Sequence, residues 1–160
     1  MFFDAVSQLN SRGLTDIQRA ARYFIKMRLS YGTDGRTFAC NNRSTVNAID
    51  KMDAVKQRFS SVVIENKDFE NLIKIYDRES AFFYCDPPYF NAEDYYDVEF
   101  GTADHERLKE CLSGTKGLFL LSYNDHEFVR ELYKDYNILG VVRANNLSKG
   151  NYKEVIITNY

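Results

Sequence analysis

The stretch that decides the fold is AFFYCDPPYF, residues 81–90. Its first half, AFFYC, is a continuous apolar run of the kind found in buried strands, and it ends just before the only two prolines of the chain, Pro87 and Pro88. Proline has a fixed φ and no amide hydrogen, so the peptide leaving the strand is stiff and its carbonyl groups can face a ligand. Asp86 is therefore expected at the carboxyl end of a strand, where open α/β sheets bind ligands.

Apolar runs and helical patterns alternate on both sides of this stretch. Strands are predicted at SSVVIEN (60–66), GLFLLSY (117–123), YNILGVV (136–142) and EVIITNY (154–160). Helices are predicted at KDFENLIKIYD (67–77), at TADHERLKECLSG (102–114) with Thr102 as cap and Gly114 at its end, and at NDHEFVRELYKDY (124–136) with Asn124 as cap. This order predicts an α/β sheet with helices on its faces, and the last two strands predict an antiparallel hairpin at one edge.

The first third of the chain has a different residue pattern, with helix signals and a polar loop but no predicted strand run like those above. A capping-box pattern at Thr15 and Gln18 opens a helix that is expected to stop near Gly32. A polar loop or small hairpin follows, and a weaker helix is predicted from Asn47 to Phe59. We therefore expect a helical and loop lobe over residues 1–59 and an α/β core over residues 60–160.

Length and composition exclude several classes of protein. The chain has 160 residues, of which 44% are hydrophobic and 28% charged, as in one compact globular domain. A net charge of −2 argues against non-specific coating of nucleic acid. The odd number of cysteines, without a CxxC pair, and two histidines on different predicted helices argue against a disulfide framework and against any metal site. No signal peptide or membrane-spanning run is recognisable, so a cytoplasmic protein is expected.

The motif has a specific chemical use. The exocyclic amino group of adenine is a poor nucleophile, and a carboxylate and a main-chain carbonyl are both acceptors that can hold its two hydrogens and stabilise the charge that develops on nitrogen. Asp86 and the Pro87 carbonyl would do this, and Tyr89 would stack on a base rotated out of the duplex. The alternative is a plain Pro-Pro turn with Asp86 as a local cap. At average residue frequencies the tetrapeptide arises by chance in about one chain in a thousand of this length, which favours the functional interpretation.

The segment FYCDPPYF resembles the catalytic motif of the Dam-like DNA adenine methyltransferases, which use S-adenosylmethionine. RAARYFIKMRLSYGTDGRTF resembles the stretch that leads into the DNA-recognition insert of phage-type members. VVIENKDFENLI resembles the strand and turn before the catalytic strand, LLSYND the next core strand, and NNLSKGNYKEVIITNY the carboxyl-terminal loop and hairpin. The resemblance implies a Rossmann-like methyltransferase fold with a helical DNA-recognition insert. It also implies methylation of a flipped adenine in double-stranded DNA. The implied catalytic residues are Asp86, Pro87, Pro88 and Tyr89, and the implied cofactor-binding residues are Asp68, Phe69 and Asp86.

One departure from the family pattern concerns the cofactor. Family members have a glycine-rich loop after their first strand, and none of the eight glycines of this chain forms a G-x-G triplet. The fold is therefore expected to be incomplete at its amino terminus, and the chain alone is expected to have weak or no activity. A complementing amino-terminal fragment, or a homodimer formed through the unpaired sheet edge, would be the partner.

Other candidate residues have a structural and a functional interpretation. The predicted DNA-binding residues are Lys26, Arg28, Tyr31, Arg36, Asn41, Asn42, Arg43 and Lys149, whose alternative is a solvated helix face with polar loops. Asp68 is either a cofactor contact or a helix cap, and for Asn124 the cap is favoured over a pocket role. The acidic loop over residues 91–97 is a candidate lid. The rival function is a non-catalytic remnant or interaction module that keeps the fold; methylation of a cytosine amino group or a protein amide is a third interpretation.

Overall fold

A computed structural model of the chain describes residues 1–31, 35–39, 45–91, 99–144 and 151–160. It contains two compact units, Met1–Ile64 and Glu65–Tyr160. The domain boundary predicted from the sequence lies five residues earlier, between residues 59 and 60. No helix in the described ranges is long and apolar enough to cross a membrane.

The first unit is helical where the structure describes it. Its helices are α1 (Phe2–Gln8), α2 (Asp16–Leu29), α3 (Thr45–Ile49) and α4 (Met52–Phe59). The predicted capping box is present: the Gln18 amide donates to the Thr15 hydroxyl at 3.2 Å, and the Thr15 amide donates to the Gln18 side chain at 3.0 Å. Helix α2 ends at Leu29, short of Gly32, because the chain turns into an antiparallel bridge between Ser30 and Phe38.

The predicted helix from Asn47 to Phe59 is two helices. Asp50 and Lys51 separate α3 from α4, and the Lys51 amide bonds to the Ala48 carbonyl three residues back instead of four. Asp50, which lies at the interruption, is a weak helix former and favours a break there.

The second unit contains a four-stranded sheet with the order β1-β2-β4-β3, which confirms the predicted α/β class. Strand β1 (Phe82–Cys85) is parallel to β2 (Leu118–Asn124). Strand β4 (Asn151–Thr158) is antiparallel to β2 and to β3 (Asn137–Ala144), so the predicted carboxyl-terminal hairpin is confirmed. The helices of this unit are α5 (Phe69–Tyr76), α6 (Thr102–Ser113) and α7 (Glu127–Leu132).

The strand predicted over residues 60–66 is wrong. The chain there has no regular secondary structure, and Val62, Val63 and Ile64 are exposed. A strand is stable only when its backbone groups pair with a neighbouring strand, and no described residue pairs with this segment. The apolar, β-branched composition favours an extended backbone, but a strand also requires a neighbouring strand with which to pair.

Two predicted helix caps are also wrong. Gly101 is the N-cap of α6, and its amide donates to the Asp104 carboxylate, whereas Thr102 is the first helical residue. His126 is the N-cap of α7 and accepts a hydrogen bond from the Phe128 amide at 3.1 Å. Asn124 is instead the last residue of β2.

One face of the sheet forms the core of the second unit. Phe119, Leu121 and Tyr123 of β2 and Val155 and Ile157 of β4 are fully buried. They pack in one cluster with Leu108 and Leu112 of α6, Val129 of α7 and Tyr133. Burial of this apolar surface is the main stabilising contribution to the unit.

The other face is largely exposed. Successive residues of a strand point to opposite faces, so the neighbours of the core residues lie on this side. Phe82, Tyr84, Leu118 and Leu139, which we call the open face, are 55%, 65%, 43% and 64% exposed. Within the described residues β1 pairs only with β2, so its other edge is free.

Candidate active site

The motif Asp86-Pro87-Pro88-Tyr89 begins directly after β1, at a level of the sheet where the neighbouring strand β2 still continues. The last pair of the parallel ladder is Cys85 with Leu121, and β2 extends three residues further. Asp86 is exposed, and the Ser122 hydroxyl donates a hydrogen bond of 2.8 Å to its Oδ1 atom. This bond fixes the direction of the carboxylate and leaves Oδ2 as an acceptor for a ligand.

The far end of the motif is held by Asn124. The Phe90 amide donates to Asn124 Oδ1 at 3.0 Å, and Asn124 Nδ2 donates to the Phe90 carbonyl at 3.0 Å. One side chain thus satisfies both backbone groups of Phe90, as a neighbouring strand would. The cap role favoured for Asn124 from the sequence is replaced by this contact with the motif.

Tyr89 is oriented by the carboxyl-terminal hairpin. Its hydroxyl donates to Glu154 Oε1 at 3.2 Å, and Arg143 Nη1 donates to Glu154 Oε2 at 3.2 Å. The Tyr89 ring centroid lies 6.4 Å from that of Tyr123. The predicted stacking residue therefore rests on the core and is bound through its hydroxyl to β4.

Buried aromatic side chains support the motif from beneath. His105 and Tyr123 are buried, and His105 Nδ1 and the Tyr123 hydroxyl share a hydrogen bond of 2.6 Å. Burial raises the pKa of Tyr123, so its hydroxyl stays protonated at neutral pH. The Phe90 ring stacks on Phe128 at 4.3 Å and lies 4.8 Å from the His126 ring. The two histidines thus serve as packing partners of Phe90.

A cavity of ≈ 260 Å³ adjoins the motif. It is lined mainly by apolar side chains, and Asp86 is its charged member; the lining residues are Phe69, Leu72, Ile73, Phe83, Tyr84, Cys85, Asp86, Pro87, Phe100 and Leu108. The volume is just below the range of about 300–1,000 Å³ typical of complete ligand sites. It suits a flat ring system better than a whole cofactor.

Comparison with known proteins decides the family. The profile described as D12 class N6 adenine-specific DNA methyltransferase matches residues 15–146, most of the chain. The chain belongs to this family. The resemblance drawn from FYCDPPYF is confirmed, and the sheet is a partial Rossmann-like methyltransferase fold.

Two curated relatives agree with the family assignment. The chain is 27% identical over 175 residues to the type II methyltransferase M1.LlaDCHI of Lactococcus lactis subsp. cremoris, covering 92% of this chain and 60% of the relative. It is 35% identical over 75 residues to the type II methyltransferase M.CviBI of Paramecium bursaria Chlorella virus NC1A, covering 46% of this chain and 29% of the relative. The chain thus spans at most 60% of either relative's length.

Asp68 is the N-cap of α5 and accepts a bond of 3.0 Å from the Glu70 amide, so the cap interpretation is confirmed. Its carboxylate also accepts three hydrogen bonds of 3.0–3.1 Å from Arg107. These bonds hold the pKa of Asp68 below its ordinary value. The Arg107 guanidinium lies 4.3 Å from the centroid of Phe69, so Arg107 contacts two of the three predicted cofactor residues, Asp68 and Phe69. No sequence pattern linked it to Asp68, which lies 39 residues earlier.

The predicted DNA-binding residues divide between described and undescribed parts of the chain. Lys26 and Arg28 lie in the last turn of α2, and the Lys26 side chain lies against Gly35 in the segment that also contains Arg36. Tyr31 is exposed just after α2. Asn41, Asn42, Arg43 and Lys149 lie outside the described residues, as does the candidate lid beyond Asn91. Contact of all these residues with DNA stays a prediction.

Metal-binding side chains do not cluster in the described ranges. These ranges hold no group of three or more His, Cys, Asp or Glu side chains placed to bind a metal ion. Burial raises the pKa of the Cys85 thiol to about 11, and it therefore stays protonated and weakly nucleophilic beside the motif.

Proposed function

We propose that this chain supplies the adenine-binding and catalytic residues for methyl transfer from S-adenosylmethionine to the exocyclic amino group of adenine in DNA. The observation that carries the proposal is the placement of Asp86-Pro87-Pro88-Tyr89 at the carboxyl end of β1, with the Asp86 carboxylate exposed and fixed by Ser122. The family to which the chain belongs supports the choice of adenine and of DNA.

The proposed chemistry requires two acceptors and a stacking ring. Asp86 Oδ2 and the Pro87 carbonyl would accept the two hydrogens of the amino group, which favours a pyramidal nitrogen with an available lone pair. The amino nitrogen would take the methyl group that S-adenosylmethionine supplies, the neutral thioether would leave, and Asp86 or water would accept the proton that the nitrogen loses. The carboxylate also stabilises the positive charge that develops on nitrogen. Tyr89, held by Glu154, would stack on the flipped base.

The residues present fit one part of the cofactor. S-adenosylmethionine, when bound, supplies the electrophilic methyl group. The apolar cavity, which Phe69 and Phe100 line with their contacting rings, would receive its adenine ring. Asp68 lies at the start of α5 beside Phe69 and would accept a hydrogen bond from the cofactor. No G-x-G loop is present for the methionine part, so we propose weak or no activity for these 160 residues alone.

The partner that we propose is a complementing α/β segment that carries a glycine-rich loop. It would add a parallel strand to the free edge of β1 and cover the open face, whose exposed Phe82, Tyr84 and Leu118 are large apolar side chains. The relative from Lactococcus lactis has 40% of its length outside the match, since the match covers 60% of it. A homodimer through the same edge is the alternative occupant.

The experiment combines binding with methyl incorporation. The chain is incubated with tritiated S-adenosylmethionine and DNA that lacks adenine methylation, with and without the part of the lactococcal relative that the chain does not match. We expect label only with the added segment, and only in N6-methyldeoxyadenosine after digestion to nucleosides. Asp86→Ala should abolish the label, and the exposed Asp135 provides the matched control, Asp135→Ala.

The other outcomes separate the rival functions. Micromolar binding of S-adenosylmethionine in calorimetry, weakened by Asp68→Ala, supports the enzyme. Absence of both binding and label, with and without the segment, supports the non-catalytic module. Label in N4-methyldeoxycytidine identifies a different acceptor, and a dimer in sedimentation that the segment does not dissociate identifies the homodimer. Label at a normal enzymatic rate from the chain alone contradicts the proposed need for a partner.

A further inference from the structure

The two prolines that mark the motif also deprive it of backbone pairing. Beyond Cys85 the chain runs beside the last three residues of β2, and Pro87 and Pro88 have no amide hydrogens with which to continue the ladder. Side chains of β2 take the place of the missing bonds. Ser122 binds Asp86, and Asn124 binds Phe90 through two hydrogen bonds.

We propose that Ser122, Asn124 and Glu154 are positioning residues for methyl transfer, which hold the acceptor groups of the motif in their reactive geometry. The inference rests on the proposed function, because it assigns these residues to the same reaction. None of the three touches the reacting atoms in this arrangement. Each acts through a residue of the motif.

Ser122 fixes the direction of the Asp86 carboxylate. An exposed Asp side chain normally samples several rotamers, and the hydroxyl bond of 2.8 Å to Oδ1 selects one of them. In the parallel register Ser122 follows Leu121 on β2 as Asp86 follows Cys85 on β1, so the two side chains emerge on the same face. The strand register therefore places the two side chains within hydrogen-bonding distance, and the bond is present without bound substrate.

Asn124 and Glu154 orient the other two functional groups of the motif, the Pro87 carbonyl and the Tyr89 ring. With Asp86 bound at one end and Phe90 at the other, the directions open to the Pro87 carbonyl between them would be restricted. Glu154 lies opposite Asn124 in the β2–β4 register and accepts the hydrogen bond from the Tyr89 hydroxyl. One cross-strand pair thus controls both the backbone and the stacking ring of the motif.

The test uses the assembly that methylates DNA, composed of this chain and the segment that supplies the glycine-rich loop. Ser122→Ala removes only the hydroxyl, and Ser122→Thr restores it. We expect kcat to fall by about 10- to 100-fold in Ser122→Ala, since misplacement of a reacting group by about 1 Å costs rate on this scale. The KM values for DNA and cofactor should change by less than about twofold, because no ground-state contact is lost. Ser122→Thr should recover most of kcat.

One further variant and a control complete the design. Asn124→Asp keeps the acceptor for the Phe90 amide and loses the donor to the Phe90 carbonyl, and it should also lower kcat more than it raises KM. Ser113→Ala, which removes the hydroxyl bonded to the Glu110 carbonyl at the end of α6, is the matched control and should leave kcat unchanged.

The outcomes separate this inference from the proposed function. An active wild-type assembly in which Ser122→Ala and Asn124→Asp retain full kcat overturns the positioning roles alone. So does a loss of activity in Ser122→Ala that Ser122→Thr does not recover, because the hydroxyl is then not the cause. A wild-type assembly that methylates no base overturns the proposed function, and the positioning roles with it.

Discussion

Two buried tyrosines of the same core are expected to respond in opposite ways to replacement by phenylalanine. Tyr123 and Tyr133 are both 0% exposed, and their ring centroids lie 6.1 Å apart. The Tyr123 hydroxyl shares a hydrogen bond with His105, whereas no described residue provides a partner for the Tyr133 hydroxyl. We therefore expect Tyr133→Phe to stabilise the second unit and Tyr123→Phe to destabilise it.

The magnitudes follow from the fate of each hydroxyl. Removal of the Tyr123 hydroxyl loses one hydrogen bond and leaves a buried His105 nitrogen without that partner, at a cost of about 1–3 kcal/mol. Removal of the Tyr133 hydroxyl relieves an unsatisfied buried polar atom, which we expect to gain about 1 kcal/mol. The two variants should then differ by at least about 2 kcal/mol. In a unit of this size that corresponds to about 8–16 °C in Tm.

The assay must report on the second unit alone, because the chain contains two compact units. Native-state hydrogen exchange of the buried β2 amides, such as that of Leu121, gives the free energy of opening of this unit. Urea unfolding followed by circular dichroism gives the global comparison. A Tyr133→Phe variant no more stable than wild type, or a Tyr123→Phe variant as stable as Tyr133→Phe, refutes the reasoning.

Three shorter predictions concern stability, pH and reactivity. Gly117→Ala should cost about 1–3 kcal/mol in urea unfolding, because the added Cβ would lie 2.7 Å from a backbone oxygen, whereas Gly114→Ala meets nothing closer than 3.9 Å and should be neutral. Arg107 depresses the pKa of Asp68, so the stability from this pair is present at neutral pH and is lost as the pH falls through the depressed folded-state pKa. The difference in urea midpoint between wild type and Arg107→Met should therefore shrink as the pH is lowered from 7 through the depressed pKa of Asp68, and a constant difference contradicts this. Because its thiol pKa is about 11, Cys85 should be alkylated at pH 8 at least about 10-fold more slowly in the folded chain than in urea, and equal rates would show an accessible thiolate.

Local patterns in the sequence predicted most of the second unit and the start of α2 in the first. The apolar run before Asp86 gave β1, the runs ending at Tyr123 and Tyr160 gave strands, and the capping box at Thr15 gave the start of α2. Each of these signals is contained within a few consecutive residues, so it survives without tertiary information. The placement of Asp86 at the carboxyl end of a strand follows from the same local pattern.

Contacts between distant residues were beyond such patterns. Ser122 meets Asp86 across 36 residues, Glu154 meets Tyr89 across 65, and Arg107 meets Asp68 across 39. Nothing in the type or spacing of a Ser, Glu or Arg indicates a partner at such separations. Asn124 shows how a local rule misleads, because an Asn before a helical pattern is a typical N-cap. In the structure His126 takes that place, and Asn124 is free to bind Phe90.

The strand sequences also bear on the second layer that we propose. AFFYC and GLFLLSY are continuous apolar runs, which are typical of strands covered on both faces, whereas a strand with one solvated face alternates apolar and polar residues. Among the described residues only one face of these strands is fully covered, and Phe82, Tyr84 and Leu118 on the other face are exposed. The composition of β1 and β2 therefore matches an environment with one more layer than the described residues provide. A complementing segment packed on the open face would resolve this mismatch and would bring its glycine-rich loop to the sheet edge nearest Asp86.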